Sequence, residues 1–167
     1  FADAEDFVSA LELRDLRHRL LVFRTFSKAY GLAALRVGYC VGPAELVDYL
    51  HRMRAPFNVN AFGQHAALAA MRDTDHVSAY VRKNAEGREL LTREFSAMGH
   101  RVAPSQTNFV LVNFGAPGAE VYQQLLRAGL IVRPMPPPID QWLRITVGTP
   151  EQNERLLAGA RGITIGG

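Results

Sequence analysis

The chain has 167 residues, of which 48% are hydrophobic and 21% are charged. This composition is typical of a folded globular protein and excludes a disordered one. The formal net charge of +3 is too small to indicate a nucleic-acid-binding protein. No apolar run is long enough to span a membrane, and the acidic first residues do not match a signal peptide. The single cysteine excludes an internal disulfide and favours a reducing, cytoplasmic setting.

The first third of the chain predicts two strands followed by a helix. Residues 20–23 and 37–41 are short, continuous apolar runs, as expected for strands that are buried on both faces. A helix is predicted to begin at Pro43, because the missing N–H of proline costs nothing in the first helical turn. Residues 54–60 are predicted to be a connector.

The rest of the chain predicts two long helices and then a second region in which strands and helices alternate. The long helices are expected over residues 62–71 and from residue 76 to about Met98, where Gly99 ends the second one. Thr149 and Gln152 have the spacing of a capping box at the start of the last helix. The remaining predicted elements are strands over 109–112, 130–132 and 142–147, a helix over 121–128, and a stiff proline loop over 134–138.

This order of elements predicts an α/β fold. The pattern changes near residues 55–60, where we expect a boundary between two domains, residues 1–57 and residues 58–167.

One segment, residues 24–39, contains the residues that indicate a catalytic or cofactor-binding site. Its sequence is Arg-Thr-Phe-Ser-Lys-Ala-Tyr-Gly-Leu-Ala-Ala-Leu-Arg-Val-Gly-Tyr. Lys28 has apolar neighbours, and desolvation favours the neutral amine that condenses with an aldehyde. Ser27 and Arg36 supply a hydroxyl and a guanidinium suited to a phosphate group. The spacing alone favours a solvent-facing lysine and an arginine in a structural ion pair, because a Ser-Lys pair followed by a distant arginine is a weak pattern.

The complete segment resembles the fold type I aminotransferases that depend on pyridoxal 5'-phosphate (PLP), and among them the histidinol-phosphate aminotransferase family. The resemblance continues in the same order at residues 104–110, 129–134 and 143–153, so that it covers nearly the whole chain. It implies that residues 1–57 end a large PLP-binding domain. Residues 58–167 would then form the small C-terminal α/β domain of that fold.

The resemblance also implies a role for five residues. Lys28 would be the catalytic lysine that binds PLP covalently, and Ser27 and Arg36 would hold the cofactor phosphate. Arg144 would bind an anionic group of the substrate, assisted by Arg133. The residue pattern supports the role of Arg144, because burying a charge within an apolar strand is costly unless the charge has a function. Arg133 fits a surface charge at the end of a strand nearly as well as a substrate contact.

The other candidates are weaker, and part of the family's site is expected to lie outside this chain. Tyr39 fits a core aromatic as well as a cofactor contact, and Asn108 fits a turn as well as a ligand. The five histidines lack metal-ligand spacing, so no metal is expected. Phe1 resembles the residue that follows the family's Asp-Glu-Ala-Tyr motif, and Asp3 does not match its aspartate. We therefore expect the chain to be truncated and inactive alone.

The function expected for the intact protein is amino-group transfer between histidinol phosphate and 2-oxoglutarate or glutamate, by a homodimer with no nucleic-acid or membrane partner. Three alternatives stay open. The first two are a lyase similar to threonine-phosphate decarboxylase and an aromatic aminotransferase, since the proline loop departs from the family's usual glycines and polar residues. The third is a non-enzymatic remnant that binds an anion or a partner.

Overall fold

The computed structural model describes residues 1–164. Its contacts divide the chain into two compact units. One unit is Glu5–Tyr80, called here the lysine unit because it contains Lys28. The other consists of Phe1–Ala4 together with the chain from Val81 onward; we call it the sheet unit. The domain boundary at residues 57 and 58 stays a prediction.

The lysine unit contains a two-stranded antiparallel sheet and two complete helices. Strands β1 (Val22–Thr25) and β2 (Gly38–Val41) are paired from Val22 opposite Val41 to Thr25 opposite Gly38. The two strands are found, with β1 shifted toward the C-terminus, but their predicted burial on both faces was wrong, since Val22 is the only buried residue in either strand. Three short 3₁₀ helices also occur in this unit. The elements are 3₁₀ helices at Ala10–Glu12, Arg14–Arg19 and Ala33–Leu35, β1 (Val22–Thr25), β2 (Gly38–Val41), α1 (Ala44–Met53) and α2 (Ala61–Arg72).

The sheet unit is built on a four-stranded antiparallel sheet, whose strands lie in the order β3 (Arg101–Ala103), β4 (Phe109–Asn113), β6 (Trp142–Thr146) and β5 (Arg133–Pro134). Three helices supply the apolar side chains that pack with one face of this sheet. Leu91 and Phe95 of the first helix, like Val110 and Val112 of the inner strand β4, are completely buried. The elements are α3 (Thr74–Ala97, which starts in the lysine unit), β3 (Arg101–Ala103), β4 (Phe109–Asn113), α4 (Gly118–Arg127), β5 (Arg133–Pro134), β6 (Trp142–Thr146) and α5 (Pro150–Arg161).

The strand predicted over residues 130–132 was wrong, because the amide of Leu130 is hydrogen-bonded to the preceding helix and cannot pair with another strand. Gly129 adopts a positive φ of 72° after α4, and the amide of Leu130 donates to the carbonyl of Leu125 at 2.9 Å. These are features of a glycine-terminated helix end. Strand pairing starts only at Arg133. The capping box is confirmed, since the side chains of Thr149 and Gln152 bond each other's backbone amides.

Candidate active site

Lys28 lies in a closed loop between β1 and β2. The loop is closed where the amide of Phe26 donates to the carbonyl of Val37 at 3.1 Å. Inside it, the amide of Gly31 donates to the carbonyl of Lys28 at 2.9 Å. Gly31 has a φ of 70°, which glycine adopts without a steric cost. The backbone of Lys28 is therefore fixed in a hydrogen-bonded turn.

Apolar residues on both sides of Lys28 form the small core of the lysine unit. Phe26 is 4% exposed and Val37 is 8% exposed, and both pack with Ala67 of α2. The ring of Tyr30 lies 4.8 Å from that of Phe26 between centroids, and the ring of Tyr39 lies 5.8 Å from it. Tyr39 remains 44% exposed, so it borders this core instead of filling it. The cluster anchors both ends of the lysine loop.

Lys28 itself is exposed, so the predicted desolvation of its side chain was wrong for this chain. The buried side chain of Phe26 belongs to the core, and Lys28 does not share that burial. Among residues 1–164, the Lys28 amine has no hydrogen-bond or ion-pair partner. An amine without an internal partner is available to an external ligand.

Ser27 and Arg36 are brought together beside Lys28, as the sequence predicts. The Ser27 hydroxyl oxygen accepts hydrogen bonds from the Thr25 hydroxyl at 2.9 Å and from Nη1 of Arg36 at 3.5 Å. The Ser27 amide donates to Oγ1 of Thr25 at 3.1 Å. Because the Ser27 oxygen accepts both bonds, its own proton is left to donate. A hydroxyl donor next to a guanidinium suits the oxygens of a phosphate group.

Arg36 is held in a backbone conformation that is uncommon for a residue with a side chain. Its φ of 56° and ψ of 48° are left-handed, which costs on the order of 1 kcal/mol for a non-glycine residue. Its Nη1 also donates to the carbonyl of Ala33 at 2.8 Å. Within the described chain it contacts no carboxylate, so the alternative of a structural ion pair is wrong here. Such strain is typical of ligand-binding positions.

Arg133 and Arg144 are direct neighbours in the sheet unit. They are paired residues in the β5–β6 ladder, so their side chains share one face of the sheet. Like charges at directly opposite positions repel each other. In the part of the chain that the structure describes, neither arginine forms an ion pair. The two form an arginine pair able to bind an anion between them.

A proline-rich loop connects the strands of this arginine pair. Residues 135–141 contain no helix or strand, so the predicted loop is confirmed except at Pro134, which belongs to β5. The amide of Met135 donates to the carbonyl of Trp142 at 3.1 Å, and the amide of Gly118 donates to the carbonyl of Asp140 at 2.9 Å. The loop is thereby bonded to β6 and to the first residue of α4.

A metal site and a membrane span are the two other features sought in the described residues. Between residues 1 and 164, no cluster of three or more histidine, cysteine, aspartate or glutamate side chains is arranged to hold a metal ion. Over the same residues, no helix combines the length and apolar character that crossing a membrane requires.

Comparison with known proteins shows the family of this chain. The family described as aminotransferase class I and II matches residues 1–159. Histidinol-phosphate aminotransferase 2 of Ralstonia nicotianae is 49% identical over 143 residues, which are 83% of this chain and 38% of that protein. Histidinol-phosphate aminotransferase 2 of Hydrogenovibrio crunogenus is 43% identical over 156 residues, or 92% of this chain and 42% of that protein.

A solved structure shares the fold. Histidinol-phosphate aminotransferase from Sinorhizobium meliloti in complex with pyridoxal-5'-phosphate superimposes with a TM-score of 0.80 at 29% identity, covering 88% of this chain and 42% of that one. The mixed α/β fold of PLP-dependent aminotransferases is thus confirmed, and the chain belongs to the class I and II aminotransferase family. It spans about two fifths of the length of the curated relatives it matches.

The structure adds three residues that the sequence analysis missed. Thr25 supports the Ser27 hydroxyl, and the Thr-x-Ser spacing is a local signal that could have indicated it. Phe109 lies beneath Arg144, with the guanidinium carbon 5.3 Å from the ring centroid. The buried Arg88 binds Asp3, and no local pattern predicts a contact between residues so far apart.

Proposed function

We propose that the full-length protein containing this chain is a PLP-dependent aminotransferase that transfers the amino group between histidinol phosphate and 2-oxoglutarate or glutamate. The observation that carries the proposal is the position of Lys28, a lysine without an internal partner in the described chain, directly after the Ser27 hydroxyl that Arg36 contacts. The names of the relatives support the choice of substrate.

The residues of the lysine unit fit PLP by the chemistry of their donors. The Lys28 amine is the group that can condense with the PLP aldehyde. The Ser27 hydroxyl and the unpaired part of the Arg36 guanidinium would hold its phosphate. When bound, PLP supplies the electron sink for a carbanion at the substrate carbon. The exposure of Lys28 in this chain leaves room for residues from the rest of the protein to enclose the cofactor.

The chain's own residues would contribute binding, orientation and proton transfer. Nζ of Lys28 would act as the general base that removes the proton from the amino-bearing carbon of the substrate, and as the general acid that then delivers a proton to the cofactor. Arg144 and Arg133 bind the anionic end of the substrate. Their cross-strand positions place both side chains on the same face of the sheet.

We also propose that the full-length protein is a homodimer that works in the cytoplasm. The lysine unit exposes several large apolar side chains, as a surface that contacts a partner does. Met53 is 83% exposed, Phe57 99% and Phe62 83%. The single cysteine is compatible with a reducing compartment. A boundary between the large and small domains at residues 57 and 58 belongs to the same proposal.

The first test is borohydride reduction of the full-length protein after incubation with PLP, followed by peptide mass spectrometry. This chain has only two lysines, Lys28 and Lys83, and Lys83 lies exposed on α3. We expect the reduced cofactor on the Lys28 peptide. The label should disappear in Lys28→Ala and persist in the matched variant Lys83→Ala. A reduced cofactor found on other lysines but not on Lys28, or no labelled peptide at all, would contradict the proposal.

Substrate assays separate the candidate reactions. Oxo-acid-dependent amine transfer from histidinol phosphate is the expected result. Faster transfer from aromatic amino acids would favour an aromatic aminotransferase, and release of carbon dioxide from threonine phosphate would favour the lyase. A protein that binds PLP on Lys28 but turns over none of these compounds would contradict the substrate part of the proposal alone.

A further inference from the structure

The ring of Phe109 lies under the guanidinium of Arg144. The guanidinium carbon is 5.3 Å from the ring centroid, within the range of a cation–π contact. In the β4–β6 ladder Arg144 is paired with Leu111. Phe109 is thus its diagonal neighbour on the same face, a distance that an aromatic side chain can reach. The contact is a direct result of the strand register.

The backbone of Phe109 is held by side chains at a point where the ladder stops. Strand β3 ends at Ala103, and Pro104 follows with no N–H to continue the pairing. The Ser105 hydroxyl instead donates to the Phe109 carbonyl at 2.6 Å, and the Thr107 hydroxyl donates to the same carbonyl at 3.2 Å. The Phe109 amide donates to Oγ1 of Thr107 at 3.3 Å. Three hydrogen bonds thus fix the residue that carries the ring.

Arg144 needs such support because the described chain gives its charge no other partner. No carboxylate among residues 1–164 pairs with it, and its directly opposite neighbour Arg133 repels it. The negative face of an aromatic ring attracts a guanidinium without occupying the N–H groups at its edge. Those donors stay available to a carboxylate or phosphate.

We propose that Phe109 is a positioning residue for substrate binding, which orients the Arg144 guanidinium so that its edge binds the anionic group of the substrate. This inference rests on the proposed function, and it assigns to Phe109 an effect on anion affinity. Phe109 acts through Arg144 and takes no part in proton transfer. Loss of the ring should therefore raise KM and leave kcat close to its original value.

The test uses steady-state kinetics of the full-length holoenzyme with histidinol phosphate and 2-oxoglutarate. Phe109→Leu should raise KM about fivefold, in keeping with the strength of cation–π contacts, and weaken competitive inhibition by inorganic phosphate by a similar factor. Phe109→Tyr keeps an aromatic face, so its KM and its inhibition by inorganic phosphate should stay close to those of the unchanged protein. Leu111→Ala is the matched control, because it removes a side chain directly opposite Arg144 without removing the ring, and it should leave KM nearly unchanged.

Arg144→Gln separates failure of this inference from failure of the proposed function. If Arg144→Gln raises KM while Phe109→Leu does not, the positioning role is overturned and the substrate role of Arg144 stands. If Arg144→Gln leaves KM unchanged, the substrate assignment itself is overturned. Equal loss in Phe109→Leu and Phe109→Tyr, or a fall in kcat at constant KM, would also overturn the inference, with thermal unfolding used to confirm that each variant is folded.

Discussion

Arg88 binds the carboxylate of Asp3 across a sequence separation of 85 residues. Its Nη2 donates to both carboxylate oxygens, at 2.8 and 2.6 Å, and its Nη1 donates to the carbonyl of Thr107 at 3.3 Å. The Arg88 side chain is 7% exposed, whereas that of Asp3 is 43% exposed. Gln106 completes the link by accepting a hydrogen bond from the Asp3 amide at 2.7 Å. Arg88 therefore joins the first residues of the chain to the segment that leads into β4.

Replacement of Arg88 by Met should destabilise the sheet unit. The change leaves the carbonyl of Thr107 without this donor and the carboxylate of Asp3 without its partner, and we expect a loss of about 2 kcal/mol in the free energy of unfolding. Urea denaturation would measure it. The control is Arg52→Met, because the ion pair of Arg52 with Asp48 is exposed, and its loss should stay within about 0.5 kcal/mol. Equal effects of the two variants would contradict the structural role of Arg88.

Asn153 is expected to be intolerant of substitution for a different reason. It is 2% exposed, and its side-chain amide bonds both backbone groups of Gly148, accepting from the amide at 2.9 Å and donating to the carbonyl at 3.2 Å. Asn153→Leu leaves both groups unsatisfied and should cost about 2 kcal/mol in the free energy of unfolding. Thermal or urea unfolding measures the change. A cost no larger than that of the exposed-site control Asn58→Ala would show that the two bonds contribute little.

Gly38 should resist even the smallest side chain. A Cβ at this position would lie 2.6 Å from the backbone carbonyl oxygen of Arg24, so Gly38→Ala must displace β1 or β2. We expect a loss of about 1–3 kcal/mol in unfolding free energy and weaker PLP binding by the full-length protein, since the lysine loop begins at these strands. Calorimetry and a PLP titration test this. Gly162→Ala is the control, because the nearest atom to its Cβ lies at 3.4 Å; matching losses would refute the explanation.

His100 should make the stability of the sheet unit depend on pH. Burial lowers the pKa of His100 below its ordinary value of 6.5, and its ring lies 4.4 Å from that of Phe114 between centroids. The unfolded chain thus takes up the proton at a higher pH than the folded chain does. Its contribution is complete above pH 6.5 and declines as the pH falls from 6.5 through the lower folded pKa. Unfolding midpoints at pH 7.5 and pH 5.5 would measure this, and His100→Gln should reduce the difference; an unchanged difference would exclude His100 as its source.

Local signals in the sequence were enough for the helices, for the longer strands and for part of the site. The capping box of Thr149 and Gln152 and the closeness of Ser27 to Arg36 depend on residues near each other in the chain, and both are confirmed. The exposure of Lys28 was not predicted. The apolar neighbours in its sequence suggested a buried amine, but Phe26 packs into the core and does not cover Lys28.

Contacts between residues that are far apart in the sequence could not be predicted from those local signals. The contact of Phe109 with Arg144 depends on the register of two strands that are separated by 28 residues, and a shift of one residue would have placed the ring on the other face. Short strands are equally hard to predict. Strand β3 has only three residues, and β5 has only two.

The sheet unit takes residues from both sides of the lysine unit, Phe1–Ala4 before it and Val81 onward after it. Recombination between related genes at a single breakpoint inside the lysine unit would therefore take Asp3 from one parent gene and Arg88 from the other. A functional hybrid would then require that both parents supply a compatible pair. An exchange of the lysine unit alone would need two junctions, one after Ala4 and one within α3. This arrangement favours inheritance of the two units together.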